Sequence, residues 1–299
     1  MKLPTLRQFT NMFPIRDNIA SNRFPIVNTS LIVANVIAYL FEVSRPHLNV
    51  FVNEHGMIAS RFVHHFDLAQ LGTSFSSMFM HASAAHIFGN LWILYIFGDN
   101  VEDRLGRFKY LWFYLLCGLI ADFVSIAVNP NSTMPVVGAS GAIAGVMAAY
   151  LVLYPKAEVQ TQFLLWYPEV RAWIIIGGWF LLNCVCGYLQ LDATIGWFAH
   201  IGGFIGGAIL VCLLTNREDR ERVSASARLI PAFNWITCTL MMIAITSCNV
   251  AFALVTHGLS DHRTESDFEQ AVKKVPKIQS TPRGKAKAPH GKSRRFSKP

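Results

Sequence analysis

Charged residues are scarce in this chain of 299 residues: they make up 15% of the sequence, whereas hydrophobic residues make up 53%. Soluble globular domains usually carry about 25% charged residues, so the composition excludes an ordinary soluble domain. The charges gather near the two ends and in short connectors, and the stretches between them are almost free of charge. This pattern is typical of several membrane spans joined by loops.

Cysteine is also rare, with six residues that all lie inside apolar stretches. Their spacing matches neither a set of metal ligands nor a disulfide framework. We therefore expect small buried apolar side chains at these positions, and we predict neither a metal site nor a cofactor.

Acidic residues are fewer than basic ones, 18 against 26, which gives a formal net charge of +8. Eleven of the 26 basic residues lie in the segment 263–298, which has few apolar residues and is rich in Lys, Arg, Ser and Pro. Such a composition predicts a disordered tail. No aromatic residues are interleaved there to stack on bases, so we expect no nucleic-acid partner.

The apolar residues form seven segments, and a crossing normally needs about 20 residues. The second and fourth segments are short, but their cores are apolar enough for us to count them as crossings. We predict an all-α membrane protein with a six-helix core and a seventh, C-terminal transmembrane helix. The segments are 25–43, 84–97, 110–128, 140–154, 172–189, 194–214 and 229–255. The expected parts are an N-terminal segment 1–24, a core 25–215, a connector with the extra helix 216–256, and the basic tail 257–299.

The basic connectors predict the orientation of the chain. Basic residues follow the second, fourth and sixth segments and share one side with the basic N-terminus, so the positive-inside rule places that side in the cytoplasm. The long connector 44–80 should fold into a structured element on the outer side. Seven crossings leave the tail outside; alternatively, the seventh segment does not cross. Residues 6–15 either lie on the membrane surface or form a loose tail.

The start of the chain predicts the membrane in which it resides. The first apolar segment has no small-residue cleavage site at its end, so we expect no cleavable signal peptide. The short core and the lack of a transit-like leader favour the cytoplasmic membrane of a bacterium.

Strongly polar residues at membrane depth are costly and therefore mark functional candidates. His86 and Asn90 lie in the second segment with His81 just before it, Ser140 begins the fourth, and His200 lies early in the sixth. These even-numbered segments all run from outside to inside. The side chains should therefore meet at one depth, near the outer surface.

The spacing of these residues suggests acyl-transfer chemistry. His86 and Asn90 are four residues apart and share a helix face, from which they could donate hydrogen bonds to an oxyanion. Ser140 stands in Gly-Ala-Ser-Gly, where glycine leaves amide donors free at a helix start. A serine hydroxyl needs a base to become a nucleophile, and His200 can be that base.

Glycine stripes supply the close packing that this chemistry requires. Gly202 and Gly206, Gly203 and Gly207, and Gly141 and Gly145 form small-xxx-small pairs below the candidate residues. Apolar segments hold no carboxylate placed to orient the histidine: Asp122 lies in the third segment and Asp192 in a connector. This favours a Ser–His dyad over a triad.

Each of these signals also has a plain structural explanation. A lone serine in a membrane helix usually bonds to its own backbone, and glycine pairs usually serve packing alone. Histidines of the first connector are expected to be solvated loop residues. Only the joint occurrence of serine, histidines and asparagine at matched depths favours a catalytic site.

Three motifs together resemble the rhomboid family. Residues 81–90 read His-Ala-Ser-Ala-Ala-His-Ile-Phe-Gly-Asn and are followed at 98–106 by Gly-Asp-Asn-Val-Glu-Asp-Arg-Leu-Gly. Gly-Ala-Ser-Gly stands at 138–141, and Ala-His-Ile-Gly-Gly-Phe-Ile-Gly at 199–206. The resemblance covers about residues 14–215. The soluble-hydrolase elbow Gly-x-Ser-x-Gly is not met, because Ala142 occupies its last position.

The resemblance implies an intramembrane serine protease that cleaves single-span membrane proteins. Ser140 would be the nucleophile and His200 the general base, while His86, Asn90 and the amide of Ser140 would form the oxyanion hole. Two further residues, Glu102 and Arg104, would hold the second helix to its neighbours. The first connector would lie beside the active site, although the family's Trp-Arg pair is not recognisable there. In some members, the position of Ala144 is occupied by an aromatic residue that supports the histidine.

Two other classes of function remain possible on the sequence. A catalytically inactive rhomboid-like protein would bind membrane helices for quality control; such relatives lack the serine or the histidine, and this chain has both. A transporter would use the polar residues at the midplane, but transporters often show repeated halves and this chain shows no internal repeat.

Overall fold

The computed structural model describes residues 13–162, 167–191 and 195–216, all of them within one compact unit, Met1–Ile245. These residues are mostly helical and include a small sheet. The helices are α1 Ile26–Val43, α2 Leu48–His55, α3 Ala59–His64, α4 Leu68–Ser77, α5 Ala84–Leu105, α6 Arg107–Val128, α7 Ser140–Leu153, α8 Ala172–Tyr188 and α9 Trp197–Leu214. The strands are β1 Phe13–Asp17, β2 Glu158–Gln162 and β3 Glu169–Arg171.

Within the described ranges, three helices, α1, α6 and α9, are long and apolar enough to cross a membrane. Helices α7 and α8 are also apolar but shorter. Each of the first six predicted segments falls on one long helix, and apart from the end of α5 the bounds agree within about three residues. The predicted seventh segment, 229–255, the connector before it and the basic tail lie outside the described residues.

Helix α5 continues eight residues beyond the predicted end of its segment, because its polar end is buried against α1. Glu102, which is 3% exposed, accepts hydrogen bonds from the backbone N–H groups of Val27 (3.1 Å) and Asn28 (2.7 Å). It thereby caps the start of α1, where Pro25 offers no side-chain cap. The helix ends at Gly106, whose φ of 78° favours glycine. The expected role of Glu102 in joining α5 to its neighbours is thus met by these contacts.

The long first connector folds into the three short helices α2, α3 and α4, as its length predicted. Asp67 begins α4 by accepting a hydrogen bond from the backbone N–H of Gln70 at 2.8 Å. Before α3, the backbone of Met57 pairs with that of Val136, with N–O distances of 3.1 and 2.8 Å. This bridge holds the connector beside the loop that leads into α7.

The sheet corrects the expectation of an all-α fold. Strand β1 pairs antiparallel with β2, and β2 with β3, which joins the N-terminal part of the chain to the connector between α7 and α8. Trp92 of α5 fixes β1 by donating to the carbonyl of Pro14 at 2.7 Å and by stacking on Phe13. Residues 13–15 therefore belong to a strand rather than to a loose tail; residues 1–12 lie outside the described part.

Two glycines of α9 pack directly on two glycines of α7. A methyl group on Gly203 would collide with the carbonyl group of Gly141, and one on Gly207 would collide with the backbone of Gly145. These four residues therefore let the helix backbones approach without intervening side chains, as the small-xxx-small pattern predicted.

The other glycine pair of α9 faces α6. A methyl group on Gly202 would lie 2.6 Å from Cβ of Val124, and one on Gly206 would lie 2.8 Å from Ile120. Helix α9 is therefore held on two sides, by α7 and by α6, and its first residues are brought close to the start of α7.

Candidate active site

The structure brings Ser140 and His200 together. Ser140 is the first residue of α7 and His200 lies in the first turn of α9, so the close packing of these helices brings the two side chains to one level. His200 Nε2 lies 2.7 Å from Ser140 Oγ, within hydrogen-bond distance. Both residues are partly exposed. A hydroxyl next to an imidazole nitrogen is the arrangement of an activated serine nucleophile.

Asn183 of α8 completes a row of three hydrogen-bonded side chains, although it lies in none of the motifs that predict the site. Its Oδ1 lies 2.7 Å from Nδ1 of His200, and its Nδ2 donates to the carbonyl of Trp179 at 2.7 Å. The side chain is 2% exposed. The sequence does contain a signal for Asn183, because placing an asparagine inside an apolar segment costs free energy, as it does for the histidines and Asn90 named above.

Aromatic rings enclose the histidine. The ring of Trp179 lies 5.6 Å from that of His200, between centroids, and Trp197 stands edge-on at 6.5 Å. The position of Ala144 holds no aromatic ring in this chain, and Trp179 of α8 supplies one instead. The histidine is therefore packed as well as hydrogen-bonded.

His86 lies against the loop that precedes the serine. Its Nε2 is 2.9 Å, and its Cε1 2.7 Å, from the position that a methyl group on Gly138 would occupy. The same position is 3.6 Å from Ser140 Oγ. Gly138 has a φ of 127°, a backbone conformation that any other residue would adopt only with strain. The absence of a side chain at Gly138 thus lets His86 reach the surroundings of Ser140.

Asn90 lies one turn further along the same face of α5 and is held by His81. Nδ2 of Asn90 donates to Nε2 of His81 at 3.0 Å, and the amide has a second N–H. His81 is 2% exposed and its backbone N–H donates to Glu42 at 2.9 Å. His81 is therefore a buried residue that positions Asn90. The histidines of the first connector are exposed, as expected: His47, His55, His64 and His65.

The part of the chain that carries these residues matches a family model described as "Rhomboid domain", over residues 68–217. This match covers half of the chain. It contains Ser140, His200, His86 and Asn90, and also Asn183.

Three curated proteins illustrate the similarity. "Rhomboid-like protein 11, chloroplastic" of Arabidopsis thaliana is 31% identical over 153 residues, 47% of this chain and 51% of the relative. "Rhomboid-like protease 3" of Toxoplasma gondii is 26% identical over 165 residues, 55% of this chain and 59% of the relative. "Presenilin-associated rhomboid-like protein, mitochondrial" of Homo sapiens is 28% identical over 141 residues, 44% of this chain and 35% of the relative. The match thus spans between about a third and three fifths of these relatives' length.

Proposed function

The chain belongs to the rhomboid family, and on that premise we propose that it is an intramembrane serine endopeptidase with Ser140 as nucleophile and His200 as general base. The observation that carries the proposal is the distance of 2.7 Å between Ser140 Oγ and His200 Nε2. The partial exposure of both residues supports it, because hydrolysis needs water as well as the substrate.

The first half of the reaction forms an acyl-enzyme. Ser140 Oγ attacks the carbonyl carbon of the scissile bond while His200 Nε2 takes the hydroxyl proton. The carbonyl oxygen gains the negative charge, which His86, the second N–H of Asn90 and the backbone amide of Ser140 stabilise. His200 then gives its proton to the leaving amine as the C–N bond breaks.

The second half releases the product. A water molecule from the outer side gives its proton to His200 and attacks the acyl carbon, and the same donors stabilise the second oxyanion. The Ser140 oxygen leaves and recovers the proton from His200. The cycle consumes one water and needs neither a metal nor an organic cofactor.

The substrates we propose are single-span membrane proteins that reach the site from the bilayer. The amides of a membrane helix are bonded within the helix, so a scissile bond becomes available only where the helix frays. Helix-breaking residues in the substrate would assist this fraying. The lipid bilayer is the second partner, and no nucleic-acid partner is proposed.

The proposal includes the arrangement of the whole chain. Six helices, α1 and α5 to α9, form the core, and the segment 229–255 adds a seventh crossing after it. The N-terminus and the sheet lie in the cytoplasm. The proposed parts remain 1–24, 25–215, 216–256 and 257–299.

The identity of the membrane is a separate proposal. The chain is an integral membrane protein on its family and its apolar helices. The expected bacterial cytoplasmic membrane has no support among the relatives named above, two of which are named for the chloroplast and the mitochondrion. It stays a prediction, which fractionation of the source cells would test.

Labelling by a fluorophosphonate tests the proposed nucleophile directly, since such a reagent phosphonylates a serine only when a base accepts its proton. We expect the full-length protein in detergent micelles to be labelled, and Ser140→Ala and His200→Ala to be unlabelled. Ser125→Ala, a serine replacement within α6, serves as the matched control and should be labelled like wild type. Proteomics of membrane stubs in Ser140→Ala cells against wild type would then identify substrates. Absence of labelling in the wild type would favour a non-catalytic, helix-binding member of the family.

A further inference from the structure

The environment of His200 leads to an inference that rests on the proposed protease function: we infer that Asn183 is a positioning residue, which holds His200 in the ring orientation and tautomer that can accept the proton of Ser140. Asn183 lies on α8, whereas the serine and the histidine lie on α7 and α9. The site would then be a row of serine, histidine and asparagine assembled from three helices.

The first step fixes the orientation of the amide. Nδ2 of Asn183 lies 2.7 Å from the carbonyl oxygen of Trp179, which can only accept a hydrogen bond. Reversing the amide would place two acceptors against each other. Oδ1 of Asn183 therefore faces Nδ1 of His200, at 2.7 Å.

The second step fixes the tautomer of the imidazole. Oδ1 of Asn183 can only accept, so Nδ1 of His200 must carry the proton of that hydrogen bond. A neutral imidazole has one N–H, which leaves Nε2 as the acceptor for the hydroxyl of Ser140. Without Asn183 the other tautomer is open, and in that tautomer Nε2 cannot take a proton.

The third step explains why an amide is suitable here. Asn183 is 2% exposed, and a carboxylate buried at membrane depth would carry a large desolvation cost. A neutral amide avoids that cost and still presents an oxygen to the histidine. It remains an acceptor when His200 becomes cationic during the reaction, so it favours the transition state as well as the resting tautomer.

The hydrogen bond to Trp179 makes the amide rigid. It fixes Asn183 to the preceding turn of its own helix, so the oxygen cannot rotate away from His200. The ring of Trp179 also packs beside the imidazole. Helix α8 thus contacts the histidine with two side chains, one that orients it and one that packs against it.

Kinetics of phosphonylation test the role. We would measure the saturating rate and the apparent binding constant of fluorophosphonate labelling for wild type, Asn183→Ala and Asn183→Leu in detergent micelles. For the alanine variant we expect a saturating rate about 10- to 100-fold lower, with the binding constant changed less than about twofold; loss of the orienting residue costs more in soluble serine proteases, where it is a carboxylate. Leucine has nearly the volume of asparagine but offers no acceptor, so Asn183→Leu should lose the rate as the alanine variant does.

A control separates positioning from packing. Cys186 lies one turn from Asn183 and is also buried in α8, so Cys186→Ala removes buried volume without removing the acceptor on Nδ1. We expect it to label within about twofold of wild type. Equal losses in Cys186→Ala and Asn183→Ala, or a wild-type rate in Asn183→Leu, would assign Asn183 a structural role only and overturn the inference.

A second measurement does not depend on activity. In NMR spectra of protein labelled with ¹⁵N-histidine, the signals of His200 are identified as those that are missing from the spectrum of His200→Gln. We expect Nδ1 to appear protonated and Nε2 unprotonated in the wild type near neutral pH, and a mixture of tautomers in Asn183→Ala. A wild-type His200 protonated on Nε2 would refute the inference even if labelling of Ser140 upheld the protease. Absence of labelling with the expected tautomer would instead refute the protease alone.

Discussion

Gly138, in the loop before Ser140, governs the contact between that loop and His86 of α5. His86 lies so close to Gly138 that any larger residue there would displace the imidazole, and the φ of 127° adds backbone strain to that clash. The backbone N–H of Gly138 in turn donates to the carbonyl of Ser77 at 2.9 Å. The loop before Ser140 is therefore fixed by the end of α4 on one side and shaped to admit His86 on the other.

Replacing the proposed oxyanion donors should lower the rate of the chemical step. We expect His86→Ala and Asn90→Ala each to reduce kcat about 100- to 1000-fold with little change in KM, because these donors act on charge that develops only in the transition state. The measurement is cleavage of a single-span reporter that the wild type processes. Asn53→Ala, an exposed amide of α2, is the matched control and should be fully active. Activity within threefold of wild type for both donor variants would remove them from the oxyanion hole.

Polar residues were recognised from the sequence when they occurred in motifs and were missed when they stood alone. Ser140, His200, His86 and Asn90 share a depth and a chemistry, so their joint pattern was informative. Asn183 has no such neighbours in the sequence, and its meaning depends on the approach of α8 to α9. The contact between Asn90 and His81 was also beyond reach, because it depends on the path of the loop before α5.

At the scale of helices, apolar length predicted positions well and ends less well. Helix α5 was predicted to end at residue 97 because charged residues follow, yet it runs to Leu105. Hydropathy cannot distinguish a polar helix end that is solvated from one whose Glu102 caps another helix. The sheet was missed for a related reason: its three strands are short, and β1 lies about 140 residues before the strand with which it pairs.

The crossing of α7 and α9 yields a prediction for the helices themselves. Gly203→Ala places a methyl group against the carbonyl of Gly141, and backbone cannot rearrange as a side chain can. We expect the free energy of unfolding to fall by about 1–3 kcal/mol, as for overpacked cores, and labelling of Ser140 to fall with it because the helices separate. Gly177→Ala in α8, which meets open space, should leave both unchanged. Thermal unfolding in micelles measures the loss of stability. Equal melting temperatures for the two variants would contradict the close packing of α9 on α7.

At the scale of the whole molecule, the described helices place different connections at their two ends. At one end, the sheet joins the N-terminal part of the chain to the connector after α7, and Asn22 donates to Asp103 at the end of α5. At the other, the first connector pairs with the loop before α7, next to Ser140. Of the basic connectors, those after α5 and after α7 are described, and they lie on the face away from the serine. A catalytic site on the opposite face would be reached by water from the outer side.

Asp17 ties the sheet to the helical core and should make the stability of the molecule depend on pH. Its carboxyl accepts hydrogen bonds from Tyr150 of α7 and, at 2.7 Å, from Asn100 of α5. Burial raises the pKa of Asp17 from its ordinary value of 3.8 to about 7, although the hydrogen bond from Tyr150 opposes this. Between these values the folded chain holds a proton that the unfolded chain has released.

The sign of the dependence follows from that proton. The stabilisation is fully present below about pH 4 and is lost as pH rises through about 7, so the melting temperature of the wild type should fall across this range. Asp17→Asn keeps a carbonyl oxygen for both donors and cannot ionise, so it should show a flatter profile and should melt higher than wild type at pH 8. Tryptophan fluorescence of both proteins in the same micelles, from pH 4 to pH 8, gives the two profiles. Because every other titrating group is common to the two chains, parallel profiles would mean that Asp17 ionises as freely in the folded protein as in the unfolded one.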